Sequence, residues 1–161
     1  MADQAKTFVV EGARLIFKNF AGKESQYNRE GERNFGLVLP QDLADKLAAD
    51  GWVVKVLPAR EEGDDDTLWM PVEIKFKHRP PRIVTLADGG KVRTHLNESS
   101  VEIVDSLDIE NVDLVVRAYE WGPINGKSGI KAYLQSMFIT ILEDELERKY
   151  RINQPVEGSN D

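Results

Sequence analysis

The chain has 161 residues, no cysteine, and 28 acidic against 21 basic side chains, for a formal charge of −7. That length suits one domain with short tails and a real core. The missing cysteine excludes a disulfide frame, a thiol nucleophile and a Cys-ligated zinc, which fits a reducing compartment.

The sequence shows neither a signal peptide nor an apolar run of spanning length, so a soluble cytoplasmic protein without a membrane partner is expected. Its average charge argues against nucleic acid, but distribution matters more than the sum. Between residues 75 and 95 stand Lys75, Lys77, Arg79, Arg82, Lys91 and Arg93 against the single Asp88, whereas residues 60–66, 98–113 and 143–147 are strongly acidic.

Residues 1–6 read as a flexible start. Residues 7–20 read as one long strand, with Gly12 at a bulge or bend. Its later half alternates Leu15 and Phe17 with Arg14, Ile16, Lys18 and Phe20, which lets Lys18 reach a binding face. Residues 21–32 form a polar loop carrying Lys23, Tyr27 and Arg29, and loops that long in a compact domain carry function or move. A second strand spans residues 33–39 and ends at Pro40. Residues 42–50 form a short helix, with Leu43 and Leu47 four apart and Gly51 where a left-handed cap belongs. A third strand follows at 52–57. The acidic run 61–66 matches no calcium-loop spacing and reads as a solvated loop.

Residues 68–78 read as a fourth strand, with Leu68, Met70, Val72, Ile74 and Phe76 on one face and Glu73, Lys75, Lys77 and Arg79 toward the other. Pro80-Pro81 interrupts it. A strand resumes at 82–86 and turns at 87–90 into another at 91–95. A binding surface and a solvated edge guarded by charge against aggregation both explain this basic hairpin. Asn97 or Ser99 caps a short acidic helix to about residue 107, with Val101, Val104 and Leu107 as its apolar stripe.

The strongest signal is a hairpin over residues 111–141. Val112, Leu114, Val116 and Ala118 alternate with Val115, Arg117, Tyr119 and Trp121; in the returning arm Ile130, Ala132 and Leu134 alternate with Lys131, Tyr133 and Gln135. Pairing core to core would put both aromatic sets on one outer face. Cations interleaved with rings are the composition of a single-stranded nucleic-acid platform, where bases stack and cations track phosphates. Ordinary cross-strand aromatic pairs give the same pattern. Asn125-Gly126 supplies the positive φ of the turn, and Lys127 beside it is either a phosphate contact or a solvated charge. A phosphate-binding loop is excluded, because the glycine it needs five positions before Gly-Lys-Ser is Trp121 and no helix follows.

Residues 143–161 read as an acidic tail, partly helical and then disordered. Many short strands with one or two helical insertions predict a mainly β fold over residues 7–142, a small closed or partly open β-barrel of the oligonucleotide-binding (OB) kind. A β-sandwich also fits the pattern. Two histidines, no cysteine, and acidic residues segregated from basic ones leave no catalytic, metal or cofactor site to expect.

Several stretches together resemble the phage-encoded single-stranded DNA-binding proteins of replication modules, over about residues 8–150. These are Gly12-Ala-Arg-Leu-Ile-Phe-Lys-Asn-Phe-Ala-Gly22, Tyr27-Asn-Arg-Glu-Gly-Glu-Arg-Asn-Phe35, Asp50-Gly-Trp52, Pro58-Ala-Arg-Glu-Glu-Gly63, Arg79-Pro-Pro-Arg82, Glu110-Asn-Val-Asp-Leu114, Tyr119-Glu-Trp121 and Asn125-Gly-Lys-Ser-Gly-Ile-Lys-Ala-Tyr-Leu134. The resemblance implies an OB fold, coating of single strands without sequence preference during phage DNA replication and recombination in the bacterial host, and no catalysis. It carries over no binding residues. The candidate contacts are therefore the basic set from Lys75 to Arg93, Lys18, and Arg117, Tyr119, Trp121, Lys127, Lys131 and Tyr133 of the hairpin. Better-known binders end in an acidic tail tipped by an aromatic residue; here Glu157-Gly-Ser-Asn-Asp161 lacks the ring, so recruitment of replication proteins through the tail is a weaker expectation than DNA binding. An exposed strand edge would permit a homodimer. The competing reading is a phage structural or protein-interaction β-module, which explains the negative charge more simply.

Overall fold

Alternating apolar residues make strands through most of residues 6–143, which with residue 146 are what the computed structural model describes. Within them lie β1 (Thr7–Val10), β2 (Leu15–Asn19), β3 (Arg33–Leu39), β4 (Lys55–Leu57), β5 (Thr67–Ile74), β6 (Arg82–Ala87), β7 (Val92–Leu96), β8 (Ile109–Ile124) and β9 (Lys127–Ile141), with one α-helix, α1 (Gln41–Ala49), and a 3-10 helix (Val101–Ser106). All nine strands share one sheet of order β1-β8-β9-β5-β3-β2, with β4 added on β5 and the β6–β7 hairpin added on β9. The expected tail at 143–161, with its helix, lies almost wholly outside the described residues, as do residues 1–5.

The two ends of that order, β1 and β2, are successive pieces of chain, so the sheet curls round on itself into a mainly β, partly open barrel of OB type. The single strand expected over residues 7–20 is instead these two. They part at Gly12, whose φ of +64° bends the chain. Ala13 N–H still donates to the Val112 carbonyl of β8 (2.7 Å), while the next carbonyl, that of Arg14, accepts from Val38 N–H of β3 (3.0 Å). The handover from one edge strand to the other therefore takes a single residue. Phe35, Leu37, Met70, Val72, Leu114, Val116, Leu134, Met137 and Ile139 fill the interior.

A second irregularity reverses the expected phase of β2. Phe17 sits at φ +51° within a register shift between Ile16 and Asn19, and a bulge of this kind moves the following side chains to the other face. Phe17 is 56% exposed, whereas Phe20, read as its opposite, is 0% exposed and stacks on Phe35 at 5.5 Å. The 3-10 helix pins this turn: Asp105 accepts from the backbone N–H groups of Phe20 (2.9 Å) and Ala21 (3.0 Å). Asp105→Ala should cost about 1.5–3 kcal/mol, the range for hydrogen bonds to a charged group, read as a lower urea midpoint at unchanged slope. That helix begins at Ser100 without a side-chain cap, while Asn97 accepts from Ser99 N–H one turn earlier; neither Asn97 nor Ser99 is the expected cap.

The expected fourth strand stops at Ile74 rather than continuing to residue 78. Pro80 and Pro81 have no N–H to donate to a ladder, and residues 75–81 leave the sheet before β6 resumes beside β9. Lys75, Lys77 and Arg79 thus stand at or beyond the strand end, not on a regular strand face. The expected third strand shrinks to β4, with Trp52 making only an isolated bridge to Ile130. In the long hairpin the turn is Asn125-Gly126, both at positive φ. Register shifts once mid-strand: Val116 faces Leu134 but Val115 faces Ser136, leaving Gln135 as an extra residue.

Candidate nucleic-acid interface

Because Val112, Leu114, Val116 and Ala118 are buried, the alternate residues of β8 point outward, and cross-strand pairing brings the two arms' outer sets together. Arg117 lies opposite Tyr133 and Tyr119 opposite Lys131. The Tyr119 and Tyr133 rings stack at 4.9 Å and 7°, and the Arg117 guanidinium lies 5.0 Å from the Tyr133 ring centre. Tyr119 is 45% exposed despite the stack, while Arg117 is only 9% exposed.

The electrostatics of this column are unbalanced. Among the described residues no carboxylate bonds or pairs with Arg117. Burial pushes its pKa down, and the positive charge of Arg79 pushes in the same direction, against a smaller opposing effect of Tyr133. Arg117 thus feels a second cation, and neither arginine has a carboxylate ion pair among the described residues. On the other flank Glu73, opposite Tyr133 across β5 and β9, pairs with Lys75 (3.3 Å) and Lys131 (3.8 Å). The Tyr133 phenol is raised above its ordinary pKa, first by burial and then by the Glu73 charge.

The other sequence candidates spread outward from the column. Trp121 lies across Gly129, where a Cβ would stand 3.0 Å from the indole. Arg82 opens β6 opposite Ser136 and continues the outer face past Arg117. Lys77 is exposed in the loop after β5, and Lys18 is exposed on β2. Lys127 sits at the hairpin tip, about 20 Å along β9 from Tyr133 at ~3.3 Å per residue. Arg93 pairs with Leu86, which in turn pairs with Thr140, placing it about 23 Å from Tyr133 in the other direction, with Lys91 just beyond. No group of His, Asp and Glu that could hold a metal occurs among the described residues.

The family model described as "Putative phage ssDNA-binding domain" matches residues 2–158. This chain belongs to that family. Its members are binding proteins rather than enzymes. Among solved structures, the single-stranded DNA-binding protein of bacteriophage Enc34 in complex with ssDNA is similar at TM-score 0.52 and 11% identity, over 86% of this chain and 88% of that one. Another structure of the Enc34 protein matches at TM-score 0.50 and 13% identity, over 86% and 82%. At such identities the likeness speaks for the fold. No curated protein matches the sequence.

In this phage ssDNA-binding domain, three further rings, Phe17 and Tyr27 exposed and Trp69 half-buried, escaped sequence reasoning as site residues. Trp69 shares the outer face of β5 with Glu73. Phe17 meets it edge-on at 5.1 Å, and Lys55 Nζ lies 5.5 Å from its ring centre. Gly36 makes the room, since a Cβ there would stand 2.8 Å from the Trp69 ring and from Ile16. Tyr27, 89% exposed, crowns the loop between β2 and β3. Asn28 fixes that loop by donating to the carbonyls of Lys23, Arg29 and Glu32 and accepting from Asn34. A long loop containing an aromatic residue was the available signal for Tyr27. For Trp69 it was its position two and four residues before Pro71 and Glu73 on one face.

Proposed function

We propose that the protein coats and protects single-stranded DNA, without sequence preference, during phage DNA replication and recombination. The observation that supports this reading is the exposed Tyr119–Tyr133 stack with Arg117 against it and the charge of Arg79 acting on the same guanidinium, neither arginine having a carboxylate ion pair among the described residues. Every base has a π-face to lay on a ring, and a phosphate supplies the charge the arginines lack. Lys75, Lys77, Arg82, Lys131 and the more distant Lys18, Lys91, Arg93 and Lys127 then track the backbone. Trp121 adds a second ring on β8. The binding unit is residues 7–142, working in the cytoplasm of the bacterial host. The acidic tail meets replication proteins, and the free edge of β7, which pairs only with β6, offers a surface for a homodimer.

The test is fluorescence anisotropy of a labelled single-stranded oligonucleotide, with unlabelled duplex as competitor, across a salt series. Binding should weaken with salt at a log–log slope of about −0.7 per phosphate neutralised, and duplex should compete poorly. Tyr119→Ala should weaken binding by about 1–3 kcal/mol, the cost of one stacked base, and Tyr119→Phe should not. No binding at low salt would sink the reading in favour of a protein-interaction module.

A further inference from the structure

Phe17 combines two features that a purely structural aromatic does not need. It is exposed, and it occupies a positive φ. Strained backbone of this kind in a residue other than glycine persists where its surroundings hold it and clusters at binding sites. Here the surroundings are Trp69, the notch left by Gly36, and the Lys55 ammonium over the indole. Among the described residues Lys55 has no carboxylate partner, so its charge is open to a phosphate.

We propose that Phe17, Trp69 and Lys55 form a second base-stacking station, occupied by the same DNA strand that lies on the tyrosine column. This rests on the DNA-binding reading above and extends it to residues outside the column. Trp69 and Glu73 lie on one face of β5, four residues apart, and Glu73 faces Tyr133. At ~3.3 Å per residue the stations are separated by about 13 Å. A single base cannot span that distance. Stacked nucleotides advancing ~3.4 Å each would need about four to cross it. Between the stations the outer face of β5 offers only Pro71, so the strand crosses this gap held at its two ends. The two stations therefore set a length threshold: short oligonucleotides occupy one, longer ones both.

Labelled oligothymidylates of about 4 and about 16 nucleotides, the limits of the usual OB site, test this with the full chain. Phe17→Ala should weaken the longer oligomer about 5- to 150-fold, the range for one lost stack, and the shorter one at most about twofold. Tyr119→Ala should weaken both. In a Trp121→Phe background Trp69 is the remaining half-exposed indole, since Trp52 is buried; the longer oligomer should quench its fluorescence and the shorter should not. Wild-type affinity of Phe17→Ala for the longer oligomer, or equal losses on both, would overturn the second station while leaving the coating role standing. Failure of the wild-type chain to bind either oligomer would overturn both.

Discussion

Phe20→Ala is expected to destabilise the fold by about 3–5 kcal/mol, the range for removing a buried aromatic. Phe17→Ala, three residues earlier, should cost no more than about 0.5–1.5 kcal/mol, the worth of its edge-on contact with Trp69, because the ring is otherwise exposed. The contrast follows from the bulge in β2. Phe20 is fully buried, stacked on Phe35, and its own N–H is fixed by Asp105. Truncating it opens a cavity where β2, β3 and the 3-10 helix meet. A typical domain is stable by only about 5–15 kcal/mol, so the loss should appear as a large drop in urea midpoint. Equal effects at the two positions would mean that the phase assigned to β2 is wrong.

Arg117→Met should separate affinity from stability. A charge-assisted hydrogen bond is worth about 1.5–3 kcal/mol, so losing an Arg117–phosphate contact should weaken single-stranded DNA binding about 10- to 150-fold. Stability should hold or rise. Burial and Arg79 both lower the Arg117 pKa, which means that folding disfavours its charged form; because the group stays protonated throughout the working pH range, that penalty is constant with pH. Methionine removes it while still filling the space beside Tyr133. The lost cation–π contact, about 0.5–1 kcal/mol, offsets part of the gain. Calorimetry and anisotropy on the same preparation check both halves. A variant destabilised by several kcal/mol would make Arg117 a structural residue instead.

The long hairpin was legible because period two runs unbroken through Val112, Leu114, Val116 and Ala118 and a turn dipeptide marks its tip. The α-helix was legible from Leu43, Leu47 and Gly51. What stayed hidden depends on partners distant in sequence. The bulge at Gln135 shifts the buried set from Ile130, Ala132 and Leu134 to Met137 and Ile139, a step that strict alternation cannot express. β5 ends where β9 exchanges it for β6 as a neighbour, a choice written in none of the three alone. Arg117 reads from its strand as an exposed cation, and its burial arises from Tyr133 on the other arm. The Trp69 pocket likewise exists because a neighbouring strand has Gly36. The tyrosine column, by contrast, followed from pairing core with core.

Closing the barrel through β1 and β2 also fixes a timetable for the nascent chain. Thr7 has no partner until Arg117 is made, and β5 has none on its β9 side until Ala132 and Tyr133 emerge. At ~5–20 residues per second of synthesis, the first half of the chain waits on the order of ten seconds with its apolar strands uncovered. Ladders between distant segments also close slowly, over milliseconds to seconds. The tyrosine column needs both β8 and β9, so it is completed last. Until both arms of that hairpin have been made, the Tyr119–Tyr133 stack cannot form.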